Sequence, residues 1–98
     1  MAVEATRVYR RSTDVVCRQV GQESILVPIR QNVGNLDFVY TLSPVAARIW
    51  TLLDGKRSIA AIADEICAEF DVDHSTASAD IAQLVSDLAE VSLLNPVP

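Results

Sequence analysis

After Arg57 the chain contains no lysine or arginine, although it runs on to Pro98. It has one histidine, two cysteines, three glycines and few aromatic residues, 5% in all. His74, Cys17 and Cys67 stand far apart, with no CxxC or HxxxH spacing, so nothing in the sequence offers a zinc or iron ligand set. Gly21, Gly34 and Gly55 each occupy a separate turn, which excludes a glycine-rich phosphate cradle. His74 begins a predicted helix, where the macrodipole disfavours an imidazolium, and no serine or cysteine partner is implied; it reads as a solvated surface residue. These absences leave no catalytic residue to name and no cofactor to expect. Residues 1–11 hold no apolar run behind their basic residues, and no later stretch is long and apolar enough to span a membrane. A cytoplasmic protein is expected, with the two cysteines as thiols in the role of small buried hydrophobes.

What is present suits one small domain. Half of the 98 residues are hydrophobic, enough for a single core, and the scarcity of aromatics means that Val, Ile, Leu and Ala must build it. Charge is divided between the halves. Up to Arg57 eight basic residues face five acidic ones, and beyond it eight acidic residues face none. Residues 1–13 show no period and read as a flexible arm, with Arg10-Arg11 able to touch an acidic partner. Val15–Val20 and residues 25–30 are β-rich runs around the turn-forming Gly21-Gln22-Glu23-Ser24, and Ile25, Val27 and Ile29 share a face. Pro28 cannot donate to a ladder there. A third run covers residues 38–42, giving three short antiparallel strands.

Three helices follow. Ser43-Pro44 is a strong start, Val45, Ile49, Leu52 and Leu53 recur at helical spacing, and Asp54-Gly55 closes a helix over residues 44–54. Ser58 caps a second, whose Ile59, Ile62, Ala63, Ile66 and Phe70 form one stripe; Asp73 caps a third, with Ala77, Ile81, Leu84, Val85 and Leu88 inward. The expected fold is therefore α+β: a three-stranded antiparallel sheet followed by three helices, winged helix-turn-helix-like. The domain takes in residues 14–94, and residues 95–98 form a tail. Such a fold invites the reading of a DNA-binding regulator, but phosphate contacts rest on Lys and Arg, and residues 73–90 carry none and hold Asp80 and Asp87. No nucleic-acid partner is expected.

From Leu42 onward the chain resembles the PqqD-like family, small proteins related to the one serving pyrroloquinoline quinone synthesis. The resemblance is carried by Leu42-Ser43-Pro44-Val45-Ala46-Ala47-Arg48-Ile49-Trp50-Thr51-Leu52-Leu53-Asp54-Gly55, then Arg57-Ser58, Ile62-Ala63, Phe70-Asp71-Val72-Asp73, Thr76, Asp80-Ile81, Leu84, Leu88 and Leu93-Leu94. Val91-Ser92 departs from it, standing where the family often has a glycine. The resemblance implies a non-enzymatic domain that binds the leader of a ribosomally made precursor peptide. It also implies association with a maturation enzyme such as a radical S-adenosylmethionine protein or a lasso-type leader peptidase, with no cofactor of its own.

The residues point the same way. An edge strand beside a helix with apolar and acidic faces can take up a peptide by strand addition. Leu42 must enter the core, so parity places Phe38 and Tyr40 on its face and Val39 and Thr41 on the other. The candidate peptide-binding residues are Phe38, Val39, Tyr40, Thr41 and Leu42 on the strand and Asp80, Leu84, Asp87 and Leu88 on the third helix. Leu84 and Leu88 read equally well as ordinary core, Asp80 and Asp87 equally well as a solvated face, and Trp50 as core. An exposed edge also permits a homodimer by edge pairing or strand exchange, so an oligomerisation module is the remaining alternative.

Overall fold

The computed structural model describes residues 6–13, 15–28 and 40–97. In chain order the elements are β1 (Val8–Arg11), β2 (Val15–Val20), β3 (Glu23–Pro28), β4 (Tyr40–Leu42), α1 (Pro44–Leu52), β5 (Asp54–Ser58), α2 (Ile59–Glu69), α3 (His74–Glu90) and β6 (Leu94–Pro96). The α+β class stands, with the sheet differently arranged. Among the described residues six strands form two three-stranded antiparallel sheets, β2-β3-β4 and β5-β1-β6, so strands both separate α1 from α2 and follow α3.

The sheet β2-β3-β4 is the one expected. A two-residue turn, Gly21-Gln22 with Gly21 at φ +61°, joins β2 to β3 in a register that runs unbroken from Val20 opposite Glu23 to Val15 opposite Pro28. Pro28 ends the strand and interrupts nothing. Ser24 and Leu26 turn to the core, where Leu26 is buried, while Ile25 and Val27 share the opposite, half-buried face; Ile29 lies outside the described residues.

The second sheet corrects three expectations. Residues 8–11 are not a flexible arm: β1 is the central strand, paired with β5 on one side and β6 on the other. Its alternation is hidden in the sequence because an arginine occupies an inward position. Tyr9 packs on the core, and Arg11 takes the same face two residues on. There Nη1 of Arg11 donates to the carbonyls of Trp50 (3.0 Å) and Thr51 (2.7 Å) at the C-terminal end of α1, so the cation closes free helix carbonyls and meets the negative end of the dipole. The supposed tail likewise joins the sheet, Asn95 and Pro96 pairing with Arg10 and Tyr9.

Finally, α1 stops at Leu52 and the chain turns into β5. Gly55 does adopt the left-handed conformation (φ +82°), but inside an irregularity of the β1–β5 ladder, where a Cβ on it would come within 3.2 Å of the Arg10 Cβ. Asp54 holds this bend. Its carboxylate accepts the amides of Lys56 (2.9 Å) and Arg57 (3.1 Å) and pairs with the Arg57 guanidinium.

The helix starts are as the sequence indicates. Ser43, Ser58 and Asp73 accept from the amides of Ala46 (3.1 Å), Ala61 (3.2 Å) and Thr76 (2.7 Å). Ile49, Trp50, Leu52, Ile59, Ile62, Ile66, Ile81, Val85 and Leu88 meet in one core, closed by Leu42, Leu93 and Leu94. On its surface Arg48 of α1 grips Glu69 of α2 through two bonds of 2.6 and 2.8 Å.

At the end of α3 the Leu93 amide bonds the Leu88 carbonyl (2.9 Å) and the Ser92 amide the Ala89 carbonyl (3.1 Å), with Ser92 at φ +65°. This is a Schellman closure in which Ser92 takes the place usually given to glycine, and the buried pair Leu88 and Leu93 supplies its apolar contact. Among the described residues no helix is long and apolar enough to cross a membrane, and no group of three or more His, Cys, Asp or Glu could hold a metal ion. Cys17 is exposed on β2 and not buried as expected; Cys67 is half-buried against the core.

Candidate functional site

The sheet β2-β3-β4 ends in β4, which has β3 on one side and no strand of the described residues on the other. Its register sets Tyr40, Thr41 and Leu42 opposite Leu26, Ile25 and Ser24. Leu42 is buried, Thr41 is exposed and Tyr40 is half-buried against the core, which is the parity expected from Leu42 having to enter it. Phe38 and Val39 lie outside the described residues.

On α3, Asp87 lies close enough to Tyr40 of β4 for its charge to act on the phenol. Asp80, Leu84 and Asp87 recur at intervals of four and three residues and so occupy one stripe of the helix. Asp80 is exposed and Asp87 half-buried; Leu84, 9% exposed, is the least covered member of the core, whereas Leu88 is fully enclosed. Of the two leucines left between groove and core, Leu88 is therefore core and Leu84 lies at the rim.

Strand and helix sense each other through Tyr40. Burial raises the pKa of its phenol above the ordinary tyrosine value, and the negative charge of Asp87 raises it further. Asp87 is in turn held by Gln83, whose Nε2 donates to Oδ1 at 2.9 Å. Gln83 was missed in the sequence, although a Gln–Asp pair four residues apart on a helix is a recognisable signal.

The result is a strand edge that carries a half-buried aromatic ring, with one carboxylate of α3, Asp87, in electrostatic reach of it. An open strand edge of this kind can offer main-chain amides and carbonyls to an extended chain, and a carboxylate beside it can favour a donor or a cation. The opposite edge of the sheet is less equipped. There β2 exposes Cys17, Arg18, Gln19 and Val20, and Val20 is 58% exposed.

The model of the PqqD family, coenzyme PQQ synthesis protein D, matches residues 23–94. A "PqqA binding protein" of Xanthomonas oryzae pv. oryzae (strain PXO99A) is 39% identical over 56 residues, which cover 57% of this chain and 61% of the relative. The chain thus spans about three fifths of the length of the curated relatives it matches. Among solved structures, TbiB1 in complex with the TbiA(beta) leader peptide is 30% identical with a TM-score of 0.69, covering 88% of this chain and 94% of that one. Lasso peptide synthetase B1 complexed with the leader peptide is 26% identical with a TM-score of 0.71, covering 90% and 98%. With the family model running from the first residue of β3 to the first of β6, the chain belongs to the PqqD family.

Proposed function

We propose that this protein is a recognition element for ribosomally made precursor peptides: it binds the leader as an added strand and presents the peptide to a maturation enzyme. The observation that carries the reading is the edge strand β4, which has no partner strand of the described residues on its outer side and whose half-buried Tyr40 lies in reach of the Asp87 charge on α3. Both similar solved structures hold a leader peptide, and the curated relative is named for binding PqqA.

In this reading the leader runs antiparallel to β4. Tyr40 flanks its inward side chains, Thr41 its outward ones, and Leu42 contributes main chain because its side chain is core. Leu84 receives an apolar leader residue, Asp80 and Asp87 a polar or basic one, and Leu88 supports the floor from within. The protein works without cofactor or catalysis in the cytoplasm, and its partner enzyme is of the radical S-adenosylmethionine or leader-peptidase kind. The α2–α3 pair is a winged helix-turn-helix-like arrangement turned to peptide binding. Its α3 lacks the cations a DNA-reading helix needs.

Calorimetric titration with the leader of the neighbouring precursor gene tests the proposal. Ordering a flexible peptide consumes part of the contact energy, so a Kd on the order of micromolar or tighter is expected. Leu84→Ala should weaken binding about tenfold, or ~1.4 kcal/mol. Absence of saturable heat with any leader encoded beside the chain would refute the role.

A further inference from the structure

We infer that the β1–β5 ladder is a second docking surface, shaped for an acidic segment of a protein partner and separate from the β4 edge. The register places Arg10 opposite Asp54, and the Arg7 carbonyl accepts the Ile59 amide at 3.0 Å, which sets Arg7 beside the end of β5. Gly55 lets the β5 backbone pass close over Arg10. Four cations, Arg10 on β1, Lys56 and Arg57 on β5 and Arg7 just ahead of β1, are thereby collected along the ladder, all of them exposed. Asp54 is the one acid in the two strands, and it is taken up by the Lys56 and Arg57 amides and the Arg57 guanidinium.

Two ordinary explanations fall short. Cations on an edge strand guard against unwanted pairing, which accounts for Lys56 and Arg57 on β5. It does not account for Arg10, since β1 is the middle strand of its sheet, nor for Arg7, which precedes that strand. Nor are the cations there to balance the fold. Arg11 and Arg48 each bind a defined internal acceptor, whereas Arg7 and Lys56 direct no side-chain bond to any described residue.

The charge of the occupant follows from the surface, and its class from the rest of the chain. A net charge of −5, with eight acids and no cation after Arg57, repels a densely charged nucleic acid and also a second copy. A short Asp- or Glu-rich protein segment gains the local attraction without that long-range penalty. The protein to which a leader is handed over is the natural owner of such a segment; that identification rests on the role proposed above, and the surface does not.

The test is an amide-shift titration of the full chain with a hexaglutamate peptide at low ionic strength. Saturable shifts are expected along β1 and β5, with β4 and residues 80–87 unmoved, and Arg7→Glu together with Lys56→Glu should weaken them about tenfold. These side chains are exposed, so the variant should melt like the parent; if it does not, Arg7→Gln with Lys56→Gln gives the same reading with smaller change. No saturable shift would overturn the inference. So would tighter binding of a 20-base-pair duplex at equal salt, or a salt-sensitive self-association in sedimentation that the substitutions abolish. Leader titration reads different amides, so failure here leaves the leader role standing, and the reverse.

Discussion

At the scale of single residues, three side chains carry sharp consequences. Trp50 is buried to 5% exposure within α1, so Trp50→Ala should cost about 3–5 kcal/mol, a large share of a small domain's stability. Chemical denaturation checks it; a variant as stable as the parent would contradict the packing. Ser92 sits at φ +65° without the freedom of glycine. Ser92→Gly should therefore stabilise by about 0.5–1 kcal/mol, the relief of the left-handed strain less the added freedom of the unfolded chain. A lower melting temperature in that variant would contradict the Schellman closure. Tyr40 reports on the site: its pKa is raised first by burial and second by Asp87. In a spectrophotometric titration Asp87→Asn should lower the ionisation pH of Tyr40 while leaving it above the ordinary tyrosine value of 10.0.

At the scale of elements, the helix junctions depend on carboxylates whose pKa values lie below their ordinary ones. Asp73 is lowered by its bonds to Thr76, Glu69 by its bond to Arg48, and Asp54 first by the Lys56 amide. A depressed folded pKa means that the unfolded chain binds protons more readily, so this stability is present above the ordinary values of 3.8 and 4.5 and is lost as pH falls through the folded ones. The melting temperature should fall as pH is taken below about 4.5, and Asp73→Asn should flatten that fall.

Elements also mark where the sequence was readable. The three helices announce themselves because their caps and apolar stripes are local, and β2 and β3 because a glycine turn joins adjacent runs. In contrast β1, β5 and β6 owe their existence to pairing between distant segments. Arg11 breaks the alternation of β1, β5 has no apolar residue at all, and β6 follows a helix end that lacks its glycine. Of the candidate site, the parity of Tyr40, Thr41 and Leu42 could be derived from one anchored residue. The division between Leu84 at the rim and Leu88 in the core could not, because both lie on the same apolar stripe and only the packing of α3 separates them.

At the scale of the whole molecule, the two sheets divide the labour. The sheet β2-β3-β4 offers the β4 edge, and the sheet β5-β1-β6 fastens the N-terminal strand to the end of α1 while collecting cations on its surface. The central claim is that a leader peptide enters as a fourth strand on β4. Its most direct test is an amide-shift titration of the full chain with its cognate leader, combined with hydrogen exchange of the complex. The account predicts perturbation along β4 and at Asp80, Leu84 and Asp87, with alternate β4 amides gaining protection as they pair with the incoming strand. Perturbation confined to residues 6–28, with β4 and α3 unmoved, would contradict it.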